Sequence, residues 1–287
     1  MPKHIIFIGA GIISLEFASM AVELGSEVTI VEYADKALAN FNQEYVAKVV
    51  TKLEKAGVNF KFSTSVTAVE SNDRNLTVKT NQNDSLVANY VLDATGRMPN
   101  VDGLGLSEVG IEFSSKGIVV DDHLKTSVDN VFASGDVLDK MVGKLTPTAT
   151  FESNYIATQI LGDDSPINYS VVPGVVFTLP RIAQVGVSSA AAVGNNQLAV
   201  EKIDYGKQML FQSKNEIDAE ITVVINRKTR TLVGAEVYGN EAAEIINLLT
   251  LVIEQHMGPA ELNKVIFAFP STSVGVITLL INKMLTL

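Results

Sequence analysis

Length, composition and charge limit the classes of protein to which this sequence can belong. Its 287 residues favour about two domains. An apolar fraction of 47% with 19% charged residues is ordinary for a globular protein with a substantial core. The net charge of −10 argues against nucleic acid or an anionic membrane as a partner, because both require a basic face. A small anionic cofactor stays possible, since backbone amides and helix ends bind phosphate.

The chain contains no cysteine, so structural disulfides, thiolate metal sites and cysteine nucleophiles are excluded within it. Residues 1–3 lead directly into a strand-like run, with no signal peptide ahead of it. The longest apolar stretch, residues 245–253, is too short to span a bilayer. We therefore expect a soluble, cytoplasmic protein without a membrane partner.

Residues 1–95 alternate between strand and helix patterns and predict a Rossmann-like α/β domain. The predicted strands are 4–8, 27–32 and 58–62, the helices are 12–24 and 43–56, and further β-like segments are 65–70, 76–80 and 86–94. The first helix is indicated by apolar residues at helical spacing, namely Phe17, Met20, Ala21 and Leu24. Turn-forming residues, among them Asn72-Asp73, separate the last three segments. This pattern predicts a β-α-β-α-β unit closed by an antiparallel meander.

The rest of the chain divides into two further regions. Residues 96–166 are glycine-rich and loop-like, with one strand pair and a helix at 148–161, and polar residues near 163–166 mark a boundary. From residue 167 we predict strands at 174–178, 183–187, 198–205, 221–226 and 232–238, and helices at 188–193, 241–255, 259–264 and after 273. This second pattern predicts an α+β domain.

A glycine-rich turn lies between the first predicted strand and the first predicted helix. Gly9-Ala10-Gly11-Ile12-Ile13-Ser14 stands in the context that a dinucleotide-binding motif requires. Gly9 allows the tight turn, and Gly11 lets the backbone approach a pyrophosphate. Ser14 replaces the third glycine and is small enough for close packing of helix on strand. The amides at the start of the helix would then face the phosphates.

Glu32 ends the second predicted strand, at the offset of about 20 residues that is usual for the ribose-binding acid of such a motif. A carboxylate there accepts hydrogen bonds from the ribose hydroxyls and repels a 2′-phosphate. No arginine occurs between Gly9 and Arg74, and Lys36 is the one nearby cation. The pattern therefore favours NAD(H) over NADP(H). The alternative is a structural turn that binds no ligand.

Five segments form an ordered set along the chain: GAGIISLEFA (9–18), ATGRMPN (94–100), VFASGDV (131–137), LTPTA (145–149) and VPGVVFTLPRIAQVG (172–186). This set resembles the pyridine nucleotide–disulfide oxidoreductase family, which includes glutathione reductase and dihydrolipoamide dehydrogenase. The resemblance implies an NAD(P)-binding domain at 1–95, the C-terminal part of an FAD-binding domain at 96–166, and a dimerisation domain at 167–287. Together with the element pattern, it predicts an α/β Rossmann-like domain with a meander, a remnant of an FAD domain, and an α+β dimerisation domain.

The resemblance also implies which residues contact cofactors. In the NAD motif they are Gly9, Gly11, Ile12, Ile13, Glu16 and Glu32, and in the FAD part they are Gly96, Gly135, Asp136, Thr146, Pro147, Thr148 and Ala149. Asp136 would accept hydrogen bonds from the ribityl hydroxyls, although in isolation it would be an ordinary turn residue. Amides at the start of the helix near Thr148 would stabilise negative charge on the reduced flavin ring. The resemblance places Glu16 against a lysine beside the flavin, and the alternative is a charge on an exposed helix face.

Some parts that the resemblance implies have no counterpart in this sequence. The first part of the family's FAD domain carries a second glycine fingerprint and, commonly, a redox-active cysteine pair. We therefore expect an incomplete flavin site, and an expressed fragment or truncated product of a longer protein, without diaphorase activity by itself.

The end of the chain departs from the pattern of the family's disulfide reductases, which have a His-Pro motif followed by a glutamate. Phe269 takes the place of the histidine and Val274 that of the glutamate, and neither side chain transfers a proton. The replacement resembles family members such as soluble transhydrogenase. It argues against thiol–disulfide exchange by the longer protein.

Two functions stay open at this point. In the first, hydride passes from NADH through FAD to an acceptor, and this chain supplies the nicotinamide site and the dimer interface. In the second, the chain is a stand-alone, non-catalytic dimerising dinucleotide-binding module.

The predicted helix at 241–255 is relevant to both functions. Its apolar residues surround most of its circumference, which predicts burial on several sides. They are Ile245, Ile246, Leu248, Leu249, Leu251, Val252 and Ile253.

That helix is interpreted either as the core of its own domain or as part of an isologous homodimer interface.

The three histidines, His4, His123 and His256, are scattered along the chain and predict no metal site. The acid pairs Asp121-Asp122 and Asp163-Asp164 are interpreted as solvated turns. Arg97 is interpreted as a structural ion-pair or loop residue.

Overall fold

The computed structural model of the chain describes residues 1–72, 75–140 and 142–287. Packing of the Cα trace divides the chain into one unit made of Met1–Thr95 with Pro173–Leu287, and another made of Gly96–Val172. The three-part division at 1–95, 96–166 and 167–287 stays a prediction. Within the described ranges, no helix is long and apolar enough to cross a membrane.

The first 95 residues build a parallel sheet and a small antiparallel sheet. The elements are β1 (His4–Ile8), α1 (Ile12–Glu23), β2 (Glu27–Val31), α2 (Gln43–Ala56), β3 (Val58–Lys61), β4 (Val66–Ser71), β5 (Leu76–Thr80), β6 (Ser85–Ala88) and β7 (Tyr90–Asp93). The parallel sheet has the order β3-β2-β1-β7, and β4-β5-β6 form the predicted antiparallel meander. Asp73, part of a predicted turn between β4 and β5, lies outside the described residues.

The predicted strand at 86–94 is in fact two strands that belong to two sheets. β6 pairs with β5 in the meander, whereas β7 pairs with β1 in the parallel sheet. The chain changes sheets at Asn89, whose Oδ1 accepts the His4 N–H at 3.0 Å and whose own N–H donates to the His4 carbonyl at 3.0 Å. Apolar periodicity could not reveal this change, because both strands have apolar residues.

The apolar spacing of α1 correctly predicts a helix but not its buried face. Phe17, Met20 and Leu24 are 49%, 51% and 64% exposed. The buried face consists instead of Ser14, Leu15, Ala18, Ser19 and Ala21. Four of these five residues are small, and small side chains let a helix lie close to the sheet that it covers.

The unit Gly96–Val172 contains little regular structure. Its elements are β8 (Phe113–Ser114), β9 (Gly117–Ile118) and α3 (Thr146–Ile160), with a 3-10 turn at Gly135–Val137. A cluster of buried residues holds the loops together, namely Val101, Leu106, Ile111, Ile118, Leu124, Ala133 and Leu138. α3 begins two residues before the predicted start, since Pro147 is tolerated in the first helical turn.

Residues 173–287 build a five-stranded antiparallel sheet with helices. The elements are β10 (Gly174–Val176), β11 (Arg181–Gly186), α4 (Ser189–Ala192), β12 (Leu198–Ile203), α5 (Met209–Gln212), β13 (Glu220–Asn226), β14 (Leu232–Gly239), α6 (Ala242–Glu254), α7 (Pro259–Leu262) and α8 (Thr272–Thr286). The strand order is β10-β11-β14-β13-β12. The short helix α5 was not predicted, and the 198–205 segment ends as a strand at Ile203 before a 3-10 turn at Tyr205–Lys207.

Helix α2 contacts this antiparallel sheet through buried polar groups. The Tyr45 hydroxyl lies 2.8 Å from the Thr222 hydroxyl, and the Asn42 amide donates to the buried Glu236 carboxylate at 2.6 Å. Val176, Ile182 and Tyr238 belong to the same buried apolar cluster as residues of the parallel sheet. The two segments of this unit therefore share one core.

Helix α6 packs on the antiparallel sheet of residues 173–287 with part of its apolar surface. Ile245, Ile246, Leu249, Val252 and Ile253 are buried where α6 lies on β11 and β14. Leu251 is 62% exposed and Leu248 is partly exposed, so the apolar surface extends beyond the face that the sheet covers.

Candidate functional site

The glycine turn lies at the carboxyl end of β1, where neighbouring strands lead away on both sides. β1 lies between β2 and β7, so the strand order reverses at this point, and ligands of open parallel sheets bind in the crevice there. Gly9 has φ +94°, and a Cβ atom on it would come within 2.8 Å of the Ala94 carbonyl oxygen. Its N–H donates to the Val31 carbonyl at 2.8 Å. Gly9 is therefore required by the turn itself.

Gly11 has a different environment from Gly9. It is the N-cap of α1 with an ordinary φ of −82°, and no described atom lies within 4 Å of the position that its Cβ would take. Gly11 and Ile13 are exposed, and Ile12 is partly exposed, so this end of α1 faces open space. Ser14 is fully buried, in keeping with its predicted packing role. Open amides at the start of a helix can bind an anion.

Glu32 lies just after β2 and is only 8% exposed. Its Oε2 accepts the Ala10 N–H at 2.6 Å, and its Oε1 accepts the Ala34 N–H at 2.8 Å. The carboxylate therefore ties the glycine turn to the end of β2, which the motif alone did not indicate. A carboxylate offers about four lone-pair positions, so about two remain to accept further hydrogen bonds.

Glu16 lies on α1 and has a partner that sequence reasoning did not predict. Its Oε1 accepts the Phe177 N–H at 2.8 Å, from the segment that follows β10. The side chain is partly buried and is not a free charge on an exposed face. Its predicted contact with a lysine near a flavin stays a prediction.

In the unit Gly96–Val172, the structure brings together most of the residues expected to contact a flavin. Gly135 has φ +77°, and its Cβ would lie 3.3 Å from the Ala149 Cβ. The next residue, Asp136, pairs through Oδ2 with Arg97 Nη2 at 2.7 Å. Arg97 is thus an ion-pair residue, as interpreted from the sequence, and its partner is one of the predicted site residues. Gly96 is exposed, with φ +137°.

The start of α3 lies beside this ion pair. Arg97, Asp136, Thr146 and Ala149 line one open cleft of about 570 Å³. Among described residues, no side chain caps the helix, whose N-cap is Leu145, and the buried Thr148 Oγ1 has no hydrogen-bond partner. Pro147 is exposed in the first turn. Uncapped amides and a carboxylate on this cleft suit a polar ligand that carries hydroxyl groups.

Glu152 is a residue of this site that sequence reasoning missed. It is 2% exposed, and its Oε2 accepts the Gly135 N–H at 2.5 Å. One signal was present in the sequence. Thr148, Glu152 and Ile156 follow each other at four-residue spacing, which places the glutamate on the inward face of a helix.

Phe269 and Val274, the two residues expected at the positions of the family's acid–base pair, lie near the start of α8. Phe269 is 85% exposed, and the Val274 N–H donates to the Ser271 hydroxyl at 3.3 Å. Neither side chain carries a titratable group, so neither can transfer a proton.

His123 contacts one residue of each acid pair. His123 Nδ1 lies 2.7 Å from an Asp122 carboxylate oxygen, and its Nε2 lies 3.2 Å from the Asp164 carbonyl. Asp121, Asp122 and His123 could approach one metal ion, but both aspartates are exposed. This group by itself does not define a metal site.

A glycine turn at the switch point of a parallel sheet, joined to an antiparallel α+β domain, defines a protein with a Rossmann-like dinucleotide-binding domain. A model of the pyridine nucleotide-disulphide oxidoreductase family matches residues 1–153, and a model of that family's dimerisation domain matches 172–278. The chain belongs to the pyridine nucleotide–disulfide oxidoreductase family. The resemblance inferred from the five motifs is thereby confirmed, as is the predicted fold class.

The chain is similar in sequence to dihydrolipoyl dehydrogenases. The one from Bacillus subtilis (strain 168) is 32% identical over 286 residues, covering 97% of this chain and 60% of the relative. The one from Geobacillus stearothermophilus is 30% identical over 276 residues, covering 94% of this chain and 58% of the relative. The chain thus spans about 60% of the length of these relatives.

Solved structures have the same fold. LpdA from Mycobacterium tuberculosis matches with a TM-score of 0.90 at 23% identity, over 98% of this chain and 62% of that one. The HOCl-induced flavoprotein disulfide reductase RclA from Escherichia coli matches with a TM-score of 0.87 at 25% identity, over 97% of this chain and 64% of that one. The family is FAD-dependent and uses a pyridine nucleotide.

Proposed function

We propose that this chain supplies the nicotinamide dinucleotide site, part of a flavin site and the dimer interface for hydride transfer from NADH to FAD. The observation that carries the proposal is the open glycine turn at the end of β1. Gly11 leaves space for a pyrophosphate, and the adjacent Ala10 N–H is held by Glu32. The first amides of α1 would bind the phosphates, and the remaining lone pairs of Glu32 would accept the ribose hydroxyls.

A preference for NADH over NADPH follows from the charge at this position. A 2′-phosphate would approach the buried Glu32 carboxylate, and no arginine stands between Gly9 and Arg74 to offset the repulsion. The exposed Lys36 is the nearest cation in sequence. Like charges brought together in a partly desolvated site repel strongly, so this repulsion weakens the binding of NADP(H) relative to that of NAD(H).

The flavin part of the proposal rests on the cleft at the start of α3. Asp136 would hold ribityl hydroxyls, the first-turn amides of α3, including that of Thr148, would face the polar edge of the ring, and Gly135 would let the backbone approach. When bound, the flavin supplies the acceptor for a hydride. The chain's own groups bind it, orient it and favour negative charge at the helix start. The adenosine part of FAD would need further residues beyond those described.

The acceptor that finally receives the electrons is constrained by the C-terminal region. Phe269 and Val274 cannot move a proton to or from a thiol. We therefore propose that the final acceptor is not a disulfide whose reduction needs an acid–base pair at these positions. The similar proteins reported above are nevertheless dihydrolipoyl dehydrogenases. A homodimer through residues 167–287 completes the proposal, supported by the dimerisation-domain match.

The proposal is tested by calorimetric titration of the chain with NADH and NADPH. We expect NADH to bind more tightly, and Glu32→Arg to weaken NADH binding about ten-fold or more while NADPH binding improves. Glu32→Gln is the matched control, since it keeps an oxygen acceptor for one backbone amide but removes the charge. Glu32→Gln should reduce the difference between the dissociation constants of NADH and NADPH without reversing it.

If neither nucleotide binds, the catalytic role proposed for this chain is wrong. If both bind equally to the wild-type chain and to Glu32→Arg, Glu32 does not distinguish the ribose. The second function, a stand-alone dimerising dinucleotide-binding module, predicts the same binding. The two functions differ in what they predict for the full-length natural protein when FAD and an artificial electron acceptor are added. The first function predicts that this protein oxidises NADH, and the second predicts that it does not.

A further inference from the structure

Glu152 is a buried carboxylate that connects three segments of the unit Gly96–Val172. It lies on α3 and is 2% exposed. Its Oε2 accepts the Gly135 N–H at 2.5 Å, and its Oε1 accepts the Tyr169 hydroxyl at 2.6 Å. Hydrogen bonds to a carboxylate are stronger than those to a neutral acceptor. One side chain therefore joins the helix, the Gly135–Val137 turn and the segment that follows α3.

Tyr169 is held so that its hydroxyl points to Glu152. Its ring centroid lies 5.9 Å from that of Phe151, and Lys140 Nζ lies 5.5 Å from its centre. Burial, together with the hydrogen bond to Glu152, raises the pKa of Tyr169 well above its ordinary value. The hydroxyl consequently keeps its proton and stays a donor to the carboxylate.

The other end of the carboxylate acts on a turn that has little freedom. Gly135 occupies the left-handed region with φ +77°, and its Cα hydrogens face the Ala149 methyl group closely enough that a Cβ would lie at 3.3 Å. The N–H that Glu152 binds belongs to the Ser134–Gly135 peptide group, one residue before Asp136. Holding this peptide group in place restrains the turn from which the Asp136 side chain leaves.

The side chain of Asp136 is held separately. Arg97 Nη2 lies 2.7 Å from its Oδ2, and both groups are largely exposed on the cleft. Exposed ion pairs by themselves restrain geometry weakly, because water competes for both partners. The buried Glu152 is shielded from water and so provides the stronger restraint on the position of Asp136.

We propose that Glu152, oriented by Tyr169, is a positioning residue that fixes the Gly135–Val137 turn and thereby aims the Asp136 carboxylate into the cleft. Its importance for flavin binding rests on the function proposed above. The hydrogen-bonded arrangement itself does not, because every atom that makes it belongs to this chain.

The test is a set of two-dimensional ¹H–¹⁵N NMR spectra of the chain and its variants. In the wild-type chain, we expect the Gly135 amide proton far downfield and strongly protected from exchange, because its acceptor is charged and close. Glu152→Gln should move this signal upfield and speed its exchange at least ten-fold, and the Arg97 side-chain Nε–H signal should shift with it. Tyr169→Phe should move the Gly135 signal less, since that bond is kept.

Glu112→Gln is the control, because it neutralises an exposed glutamate in the same unit. It should leave the Gly135 and Arg97 signals unchanged. Signals of the buried Leu124 and Ile118 should stay in place in every variant. If Glu152→Gln leaves Gly135 unmoved, or if all signals of the unit move together, the positioning role is overturned. That result would leave nucleotide binding untouched, whereas failed nucleotide binding with a moved Gly135 signal would overturn only the proposed function.

Discussion

The two glycines of the nucleotide motif are required for different physical reasons. Gly9 has a left-handed backbone and no room for a Cβ beside Ala94, so its requirement belongs to the fold. Gly11 has an ordinary φ of −82° and open space around it, so its requirement concerns what approaches it. The motif in the sequence does not separate these two roles, but the structure does.

Substitution of each glycine by alanine tests this distinction. We expect Gly9→Ala to lower the free energy of unfolding by about 2–4 kcal/mol, through backbone strain and the clash with the Ala94 carbonyl. Gly11→Ala should cost about 1 kcal/mol or less, as an N-cap change, yet weaken NADH binding about ten-fold or more. Urea unfolding and calorimetry measure the two quantities. Equal effects of both variants on stability would contradict the assignment.

His123 carries a pH dependence that belongs to the unit Gly96–Val172. The hydrogen bond to the Asp164 carbonyl and the neighbouring Asp122 carboxylate raise the pKa of His123. A raised pKa in the folded state means that the protonated form is favoured by folding. Its contribution to stability is therefore full below the unfolded value of about 6.5 and is lost as pH rises through the folded value.

NMR titration of the His123 ring protons checks this expectation. The midpoint should lie above that of the same signal in the urea-unfolded chain. His123→Asn should remove the corresponding pH dependence of local stability around residues 121–124. A midpoint at or below the unfolded value would show that the two contacts do not favour the charged ring.

At the scale of the element, α1 shows that large apolar residues at helical spacing need not form the buried face. Phe17, Met20 and Leu24 are half-exposed or more, and the helix lies on the sheet through small residues. Close packing on a parallel sheet favours side chains that leave little space, and Ala18 and Ser14 meet this condition. The larger residues are then left on the outer surface of the described chain.

Two truncations on the same helix test which face is buried. Leu15→Ala removes a fully buried side chain and should cost about 2–5 kcal/mol of unfolding free energy. Met20→Ala removes a half-exposed one and should change it by about 0.5 kcal/mol or less. The two substitutions are alike in chemistry and share one helix. If Met20→Ala proves as costly as Leu15→Ala, the exposed face is covered in solution.

The boundary between β6 and β7 at Asn89 also depends on distant partners. The segments on either side have similar apolar content, and only the pairing of β6 with β5 and of β7 with β1 separates them. The sheets to which they belong are chosen by partners elsewhere in the chain. Local composition therefore predicted one long strand where the chain forms two.

At the scale of the whole molecule, the apolar surface of residues 173–287 extends beyond the core of one chain. Leu251, Ile266 and Phe269 are 62%, 98% and 85% exposed. They fall within residues 172–278, the part matched by the dimerisation-domain model. Exposed apolar groups of this size are typical of surfaces that bind another protein.

A charge placed in this surface should weaken the proposed dimer without unfolding the chain. We expect Ile266→Asp to raise the dimer dissociation constant at least ten-fold, since a carboxylate loses its water on association. Sedimentation equilibrium measures this constant. Val69→Asp, at a 46% exposed position in β4, is the control and should leave it unchanged. A monomeric wild-type chain, or a variant with unaltered association, would contradict the assignment of this surface.

The sequence by itself determined the features that depend on neighbouring residues. The ends of α2 follow from Asn42, which caps its first amides, and from Gly57, which ends it in a left-handed conformation. The turn at Gly9 and the five motifs could likewise be inferred from the sequence, because each depends on residue types at a fixed spacing. Steric and hydrogen-bonding effects between residues close in the chain can be inferred from the sequence alone.

Only the tertiary structure decided the contacts between residues far apart in the chain. It paired Glu16 with the Phe177 amide across 161 positions, Arg97 with Asp136, and Glu152 with Gly135 and Tyr169. It also chose the buried face of α1 and gave both oxygens of Glu32 to backbone amides. These outcomes depend on which segments the fold brings together. A side chain's partner is then set by the path of the whole backbone, which local periodicity and motif spacing do not contain.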